Sequence, residues 1–465
     1  MATTVTTASE WAAVEFGGVE LGDRRRNRRL VRMATTLAQE AHGTLPGSFP
    51  GWAETKAAYR LLEEADVTYE RIIDPHFQRV RDVCRQGGEY LLVEDTTALD
   101  FNSHLAAQDL GAINNAGGRG LWVHSTLALR IEGWNEQQEP AVIVEGLFDQ
   151  RWWARTAPPM GKGQEKKRQR LSRSRESQRW AAAGLQAGLS SGAEWTWVAD
   201  READIFEAFG RCREHGWHFI IRAGQPRALS DEEGSLFETV AQSREAGRFN
   251  VELRSRPAQA ARRAEVAVRA CTVTLRPPWR PGSHLPPCPV NVVEARELHP
   301  PAGVEPIHWV LLTDWPIGAF AQVLRVVKAY SRRWLIEEYH KALKTGTGIE
   351  QSQLTTAQRI GALLGILAVV AGRLLNMKLL AATQPDQPVS ADELGPEALA
   401  ILRAKFGSPP DGWTNGTVLV AIARLGGFLA RKRDGTPGWI TIWRGWRKLM
   451  WLVQGYNLAN GERCG

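Results

Sequence analysis

Residues 195–204 read WTWVADREAD, and this short stretch is the one that decides the fold class. Trp195–Ala199 is an apolar run with the length of a buried strand, and it ends at Asp200. We predict a helix just before it, from Trp180 to Leu189. Because another apolar strand run lies upstream of that helix, the order strand, helix, strand predicts an α/β fold.

Three more strands are predicted upstream of this stretch. Tyr90–Val93 is an apolar run that ends at Glu94 and Asp95, so this second aspartate also follows a buried strand. Leu121–Ile131 and Ala141–Phe148 are the next two candidates, and their spacing predicts a meander.

The second half of the chain changes from β to helical character. β-branched residues alternate between about Phe249 and Thr313, and a long helix is predicted from Ala319 to Leu343. Residues 9–80 and the C-terminal part also have helical patterns. The predicted domains are a helical N-terminal domain at 1–75, an α/β domain at 76–375 with a β-rich insertion at about 245–315, and a helical C-terminal domain at 376–465.

The composition is that of an ordinary folded protein. Of 465 residues, 43% are hydrophobic and 23% are charged, which excludes a disordered or fibrous chain. The five cysteines are scattered, so we expect neither a zinc site nor a disulfide framework, and a reducing cytosol fits best. We see no signal peptide, and the longest apolar run, Ile360–Gly372, is too short to span a bilayer.

Basic residues are clustered, although 58 Lys and Arg against 51 Asp and Glu give a net charge of only +7. One cluster lies on a helix that starts after Asp23 and buries Leu30, Met33 and Leu37. So dense an arginine run without acidic partners favours phosphate binding, with a solvated arginine face as the alternative. The Lys162–Arg175 cluster is predicted to be an exposed loop. The clusters are Arg24, Arg25, Arg26, Arg28, Arg29 and Arg32; Lys162, Lys166, Lys167, Arg168, Arg170, Arg173 and Arg175; and Arg431, Lys432 and Arg433.

One predicted helix carries an unusual stripe of functional groups. Residues 330–344 read YSRRWLIEEYHKALK. At about 100° per residue, offsets of 3, 7 and 14 rotate by about 300°, 340° and 320°, so four functional groups share one helix face. They are Tyr330, Arg333, Glu337 and Lys344. A carboxylate there suits a divalent cation, and the other groups suit phosphate oxygens, but an ordinary charged helix face explains the stripe about equally well.

Two aspartates favour a metal site over an ordinary charged helix face. Asp95 and Asp200 each follow an apolar strand, and α/β sheets bind ligands at such strand ends. Together with Glu337 they supply oxygen ligands for two Mg²⁺ or Mn²⁺ ions, an arrangement that serves in-line phosphoryl displacement. For a single aspartate after a strand, capping is the commoner role, so the prediction rests on all three carboxylates.

The signature Y-x2-R-x3-E-x6-K resembles that of the insertion-sequence-four family of bacterial cut-and-paste transposases. Other blocks resemble the same family, in order along nearly the whole chain. They are LGD at 21–23, EDTT at 94–97, GLWVHS at 120–125, DREAD at 200–204 and ARLGGF at 423–428. The resemblance implies an RNase H-like catalytic core with a DDE triad, interrupted by a β-rich insertion and flanked by all-α domains.

By this resemblance, Asp95, Asp200 and Glu337 are the catalytic and metal-binding triad, which holds two Mg²⁺ ions that Mn²⁺ can replace. Other side chains are implied to bind DNA near the cut, through its phosphates or by stacking on a base flipped out of the transposon end. The implied phosphate contacts are Tyr330, Arg333, Lys344 and Lys341, and Arg222 matches an active-site arginine position of the family. Trp309 is implied to stack on the flipped base, and Trp334 to fill the gap that the base leaves in the DNA helix. For Trp309, a place in the strand core is the alternative.

The resemblance also assigns roles to the two ends of the chain. The N-terminal arginine helix is implied to bind the transposon end through Arg25, Arg26 and Arg29. The C-terminal region is implied to form the dimer interface of the synaptic complex. Its apolar stripe, which without the resemblance indicates an intramolecular core, consists of Trp439, Trp443, Trp446, Met450 and Val453.

The function implied is that of a DNA transposase in the bacterial cytoplasm, associated with the nucleoid and with no membrane partner. It would bind the inverted repeats at the transposon ends as a homodimer, nick them, excise the element through a hairpin intermediate, and join the 3′-OH ends to target DNA. The alternative is a catalytically silent relic or regulator that binds DNA without cutting it. A general nuclease is disfavoured by the dedicated arginine helix.

Overall fold

The computed structural model describes residues 8–39, 44–49, 51–114, 117–155, 192–230, 234–253, 261–279, 284–389, 394–431 and 434–460. The predicted helix Trp180–Leu189 and the Lys162–Arg175 cluster lie outside the described residues, as do Lys432 and Arg433. What the sequence predicts for these segments stays a prediction.

Helices precede the sheet. They are α1 Ala8–Phe16, α2 Arg24–Gln39, α3 Leu45–Ser48, α4 Trp52–Glu63 and α5 Tyr69–Arg85. Helix α2 begins after Asp23, whose carboxylate accepts a hydrogen bond of 2.7 Å from the backbone N–H of Arg25. Leu30, Met33 and Leu37 are buried, so the predicted apolar stripe of this helix is confirmed.

The described strands form one mixed sheet in the order β2-β3-β1-β5-β6-β10-β9-β8-β7, with β4 also paired to β3. They are β1 Gly88–Asp100, β2 Gly111–Ala112, β3 Arg119–Trp134, β4 Pro140–Trp153, β5 Ala193–Ala199, β6 His218–Arg222, β7 Glu245–Leu253, β8 Arg262–Leu275, β9 Cys288–Glu297 and β10 His308–Thr313. The predicted meander is confirmed, because β1, β3 and β4 pair antiparallel. Strands β1, β5 and β6 pair parallel.

The β-rich segment continues the same sheet. Strand β10 pairs antiparallel with β6, and β9, β8 and β7 follow outward from it. The segment therefore extends the sheet sideways, and its strands lie next to the parallel centre rather than forming a separate layer.

The remaining helices cover the sheet and form the C-terminal part. They are α6 Phe206–Glu214, α7 Leu236–Gln242, α8 Phe320–Ser331, α9 Trp334–Lys341, α10 Ala357–Thr383, α11 Pro396–Phe406, α12 Asn415–Leu425 and α13 Trp439–Ala459. Alternate residues of the central strands face opposite sides. Leu91 and Val93 pack with the N-terminal helices, α8, α9 and the C-terminal helices, whereas Leu92 packs with α6 and α7.

The prediction of one continuous helix from Ala319 to Leu343 is wrong. The chain forms α8 and α9 with a tight turn between them, in which the N–H groups of Arg333 and Ile336 bond to carbonyls three residues earlier. After α9 the helix widens into a π-helical turn, Ala342–Gly346. The tight turn overwinds the helical backbone and the π-helical turn unwinds it. A uniform rotation of 100° per residue therefore does not describe the stripe of Tyr330, Arg333, Glu337 and Lys344.

Helix α10 is longer than the apolar run seen in the sequence suggests. Its 27 residues, Ala357–Thr383, are long and apolar enough to cross a membrane by length and composition, which the shorter run Ile360–Gly372 is not. However, 83% of its most apolar window is buried inside the protein. A buried helix of this kind is the core helix of a folded domain, and its apolarity is weak evidence for a membrane span.

The C-terminal apolar stripe is intramolecular core. Trp439, Trp443 and Trp446 are each 7% exposed. They pack in the apolar cluster that also contains α8 and α9. The indole N–H of Trp446 donates to the backbone carbonyl of Gln39 at 3.1 Å, which ties α13 to the end of α2. The stripe therefore holds the C-terminal helix onto its own chain.

Glycine allows α12 and α13 to approach closely. A Cβ at Gly445 would lie 1.6 Å from the carbonyl oxygen of Ile422, whereas a Cβ at Gly455, on the same helix, would meet nothing within 4 Å. We predict that Gly445→Ala lowers the free energy of unfolding by about 1–3 kcal/mol because the helices must separate. Gly455→Ala is the matched control and should raise it by up to about 1 kcal/mol, since alanine favours a helix.

Thermal and urea unfolding, followed by near-ultraviolet circular dichroism, measure both variants. Equal effects of the two substitutions would contradict the close packing of α12 against α13.

Candidate active site

The pairing of β1 with β5 brings two predicted site residues side by side. These strands run parallel, and their last pair is Val93 with Val198. Asp95 and Asp200 each lie two residues beyond that pair, so they share one register and face the side of the sheet that α9 covers. Neighbouring strands lie about 4.8 Å apart, which brings the two carboxylates near enough to share a ligand.

A row of polar side chains extends from this pair across the sheet. On one side, Ser125 of β3 pairs with Asp95, and Gln150 of β4 pairs with Ser125. On the other side, β5 and β6 keep the same parallel register, which puts Arg222 next to Asp200. We call these five residues, Gln150, Ser125, Asp95, Asp200 and Arg222, the polar row.

Asp95 is the most perturbed carboxylate of the row. Burial raises the pKa of Asp95 to about 6, against the opposing effects of Arg333 and of the backbone N–H of Thr96, and the charges of Asp200 and Glu337 raise it further. The Thr96 N–H donates to one carboxylate oxygen at 2.8 Å. The charges of Asp200 and Glu337 thus act on Asp95 in addition to burial.

Arg333 joins Asp95 to Glu337. Its guanidinium lies 3.5 Å from an Asp95 oxygen and donates to Glu337 at 2.5 Å. The two partners come from different elements, β1 and α9, so this one side chain ties α9 to the sheet. The sequence predicted Arg333 as a phosphate contact, and the structure adds its ion pairs with two of the three predicted triad members.

Asp200 is held by the turn that follows β5. One of its carboxylate oxygens accepts a hydrogen bond of 2.8 Å from the backbone N–H of Glu202, which caps a short 3₁₀ turn, Arg201–Ala203. The capping role that the sequence left open for an aspartate after a strand is therefore real. Capping occupies one oxygen and leaves the other for a ligand.

The three carboxylates suit a divalent metal by chemistry, but two of them, Asp95 and Glu337, form ion pairs with Arg333. Among the residues that the structure describes, no three His, Cys, Asp or Glu side chains are arranged to hold a metal ion as they stand. Carboxylate oxygens are the ligands that Mg²⁺ and Mn²⁺ prefer, and the guanidinium between Asp95 and Glu337 shows that the position attracts a cation. A metal ion bound by Asp95 and Glu337 would compete with the Arg333 guanidinium for these carboxylates.

Tyr330 and Trp309 pack against each other beside the row. Their rings meet edge to face with centroids 5.1 Å apart. Tyr330 is 4% exposed, and burial raises its pKa. Trp309 is half-buried and contacts the apolar cluster on the same face of the sheet. The core position that the sequence left open for Trp309 is thus the one it occupies, with one part of the ring still accessible.

The other predicted DNA contacts on the signature segment lie at its surface. Trp334 is 44% exposed, and the ammonium group of Lys341 lies 4.5 Å from the centre of its ring. Lys341 also donates to Glu338 at 2.9 Å, and Lys344 lies 3.8 Å from Glu350. Both lysines therefore have an acidic neighbour in their own chain, which the sequence did not indicate for Lys344.

Two of the predicted end-binding arginines are paired with acids. Arg26 forms ion pairs with Glu64 and Asp66, and Arg29 donates to Glu54 at 2.9 Å. The expectation that the arginine run has no acidic partners is wrong, because the partners come from α4 and the turn after it. Arg24, Arg25 and Arg28 are exposed on α2.

Sequence reasoning missed the contacts that hold α9 on the sheet. Ser125 and Gln150 face α9 from the polar row. Glu338, a residue of α9, binds groups on other helices. Glu338 accepts from Lys378 at 2.5 Å and from the indole N–H of Trp439 at 2.8 Å, which links α9 to α10 and α13. Its two lysine partners lower the pKa of Glu338 to about 2 in spite of its burial, which raises it. A polar residue within a buried strand was the only available signal, and it does not name a partner.

Two family models match the chain. The one described as Transposase DNA-binding matches residues 8–67, and the one described as Transposase DDE domain matches residues 196–371. This chain is a DDE transposase. It is a metal-dependent enzyme that cleaves DNA and transfers strands, and its mixed α/β sheet belongs to the RNase H-like class.

The two matches cover different parts of the transposase. The DNA-binding match covers α1 to α4 and includes the arginine helix. The DDE match includes Asp200 and Glu337, whereas Asp95 lies before its first residue and joins the site through the β1–β5 pairing.

Two carboxylates with opposite pKa shifts predict opposite effects on stability. The pKa of Asp95 is raised from 3.8 to about 6, so its ionised form costs folding free energy, and that cost builds up as pH rises from 3.8 to about 6. The pKa of Glu338 is lowered to about 2, so its ionised form stabilises the fold, and that gain is lost only as pH falls through 2.

At pH 7.5 in EDTA, Asp95→Asn should raise the free energy of unfolding by about 1–3 kcal/mol and Glu338→Gln should lower it by a similar amount. Between pH 7.5 and 4.5 the difference for Asp95→Asn should shrink, while that for Glu338→Gln stays constant. Urea unfolding across this range measures both. A constant difference for Asp95→Asn would contradict the assigned burial of the ionised carboxylate.

Proposed function

We propose that this transposase is a cut-and-paste enzyme of the insertion-sequence-four family, close in its motif blocks to the transposon-five transposase, with Asp95, Asp200 and Glu337 as its catalytic triad. The observation that carries the proposal is the shared register of Asp95 and Asp200, with Glu337 joined to Asp95 by Arg333. We also propose a division into an N-terminal domain at 1–75, a catalytic domain at 76–375 and a C-terminal domain at 376–465.

The triad would hold two Mg²⁺ ions, for which Mn²⁺ can substitute. Such ions, when bound, activate the attacking oxygen and stabilise the leaving oxygen of an in-line displacement at phosphorus. Each step of transposition is such a displacement. Water first cuts one strand and frees a 3′-OH, this hydroxyl attacks the opposite strand to make a hairpin, water opens the hairpin, and the 3′-OH attacks target DNA.

The cations around the row would hold the phosphates of the transposon end. Arg222 lies in the row itself, is partly exposed, and donates to the carbonyl of His308 at 2.9 Å. Arg333, Lys344 and Lys341 line the same helix segment and would exchange acidic partners for phosphate oxygens. Tyr330 is buried, so we propose that it positions Trp309 and reaches phosphate only through its hydroxyl.

Trp309 is suited to stack on an extruded base, and Trp334 is suited to fill the gap that this base leaves in the DNA helix. Trp334 presents 44% of its surface at the start of α9, and Trp309 is half-buried above the polar row. An indole face offsets the stacking that a flipped base loses, which is worth about 1–3 kcal/mol per base.

The N-terminal domain would bind the inverted repeat through the exposed side of α2 and α4. Arg25 is exposed on α2, and Trp52, Lys56 and Arg60 form an exposed stripe on α4 at i, i+4 and i+8. Arg26 and Arg29 would support this surface by fixing α2 against the acids of α4 and its following turn. Two cations and an exposed indole on one helix face suit a DNA backbone and its sugars.

A homodimer would synapse the two transposon ends through α13. The inward stripe of this helix is already buried, but its outer face keeps large apolar side chains in solvent. They are Ile440, Trp451, Leu452, Tyr456 and Leu458. Exposed apolar groups of this size on one helix suit an interface with a second copy.

The triad predicts a specific loss of cutting. We expect Glu337→Gln and Asp200→Asn to lower Mg²⁺-dependent excision at least about 10³-fold, because metal-assisted displacement loses a ligand, while duplex binding stays within about threefold. Glu350→Gln is the control, since Glu350 lies on the same segment beside Lys344 but outside the triad. The substrate is a supercoiled plasmid carrying the DNA that flanks the reading frame on both sides.

Excision by Glu337→Gln at the wild-type rate would refute the triad. Tight binding of the flanking DNA by the wild-type protein without any Mg²⁺-dependent cutting would refute the enzyme and favour a DNA-binding regulator.

The arginine helix predicts unequal contributions from neighbouring arginines. Arg25→Ala should weaken binding to a 40-bp duplex from the flanking DNA and lower the slope of log affinity against log salt by about 1. Arg26→Ala should change the slope less, because Glu64 and Asp66 already neutralise that guanidinium. Fluorescence anisotropy at 50–300 mM salt measures both, and a larger effect of Arg26→Ala would contradict the assignment.

A further inference from the structure

Three polar contacts fix α9 on the sheet, and they surround Glu337. Arg333 contacts Asp95, and one ring nitrogen of His340 lies 3.3 Å from the hydroxyl of Ser125. The hydroxyl of Tyr339 accepts a hydrogen bond of 2.8 Å from the side-chain amide of Gln150. Asp95, Ser125 and Gln150 are three consecutive members of the polar row, so α9 contacts the row at three neighbouring strands.

The spacing on the helix puts Glu337 between two of these contacts. Arg333, Glu337 and His340 are at i, i+4 and i+7, which places them on one face of α9. Arg333 fixes the helix one turn before Glu337, and His340 fixes it one turn after. Tyr339 adds a contact from the adjacent face.

Burial makes these contacts rigid and specific. Ser125 and Tyr339 are 0% exposed, Gln150 is 2% exposed and His340 is 6% exposed. The side-chain amide of Gln150 also donates to the Ser125 hydroxyl at 2.9 Å, so these groups form one buried network, and loss of one of its hydrogen bonds costs about 0.5–1.5 kcal/mol. An apolar contact would allow α9 to slide along the sheet, whereas hydrogen bonds of fixed length and direction select one register.

We propose that Ser125, Gln150, Tyr339 and His340 are positioning residues that set the register of α9 and thereby hold Glu337 at the distance from Asp95 and Asp200 that a divalent ion requires. The inference rests on the proposed triad. It concerns residues that touch neither metal nor DNA and act through the placement of Glu337.

The structure offers a matched pair of variants. Tyr69 on α5 also hydrogen-bonds to Gln150, with its hydroxyl 2.9 Å from the backbone carbonyl and 3.1 Å from the side-chain oxygen, and it is 4% exposed. Tyr339→Phe and Tyr69→Phe therefore each remove one buried hydroxyl from the same glutamine. Only Tyr339 lies on α9.

Mn²⁺ binding to the protein without DNA, measured from the free-ion signal in electron paramagnetic resonance, tests the proposal without turnover. We expect Tyr339→Phe to weaken Mn²⁺ binding about 3–10-fold and Tyr69→Phe to leave it within about twofold. Ser125→Ala should act like Tyr339→Phe, because it removes the partner of His340. In excision assays, Tyr339→Phe should raise the Mg²⁺ concentration for half-maximal rate and leave duplex binding unchanged.

Equal effects of the two tyrosine variants on Mn²⁺ binding, or no effect of Tyr339→Phe and Ser125→Ala, would overturn the positioning role. Glu337→Gln, titrated in the same way, separates this failure from that of the triad. If Glu337→Gln binds Mn²⁺ as tightly as the wild type, the triad itself is refuted.

Discussion

The parallel pairing of β1 with β5 is the constraint on which the rest of the site depends. It sets Asp95 and Asp200 in one register at the centre of the sheet, and β6 continues that register to Arg222. Burial in this position raises the pKa of Asp95, which means that the fold holds a carboxylate where its charge is costly. Such a cost is expected where a protein keeps acidic groups together for a cation.

Charge compensation explains how α9 can lie over these carboxylates. Arg333 balances Asp95 and Glu337 on the inner side of the helix, and Glu338 balances Lys341 and Lys378 on the outer side. Glu338 also accepts a hydrogen bond from the indole N–H of Trp439, so α13 takes part in holding α9. The site is thus built from three parts of the chain that are far apart in sequence.

Much of this arrangement was predictable from local patterns. Apolar runs gave β1 and β5, and the aspartates after them gave the strand-end pair, because both signals lie within a few neighbouring residues. The break between α8 and α9 was not predictable, since Arg332 and Arg333 have helical backbone angles and only the hydrogen-bond pattern changes. The acidic partners of Arg26 were missed because they lie about 40 residues away. His340, which contacts Ser125, is even farther away along the chain, and only the fold brings the two together.

The central claim is that Asp95, Asp200 and Glu337 surround one metal site, and iron-directed cleavage of the polypeptide tests it most directly. Fe²⁺ replaces Mg²⁺ at carboxylate sites, and with ascorbate and peroxide it generates radicals that cut the nearby backbone. Mass spectrometry of the fragments should show cuts at three separate places, next to residues 95, 200 and 337, that excess Mg²⁺ suppresses. Cuts confined to one of these segments, or located elsewhere and insensitive to Mg²⁺, would contradict the account.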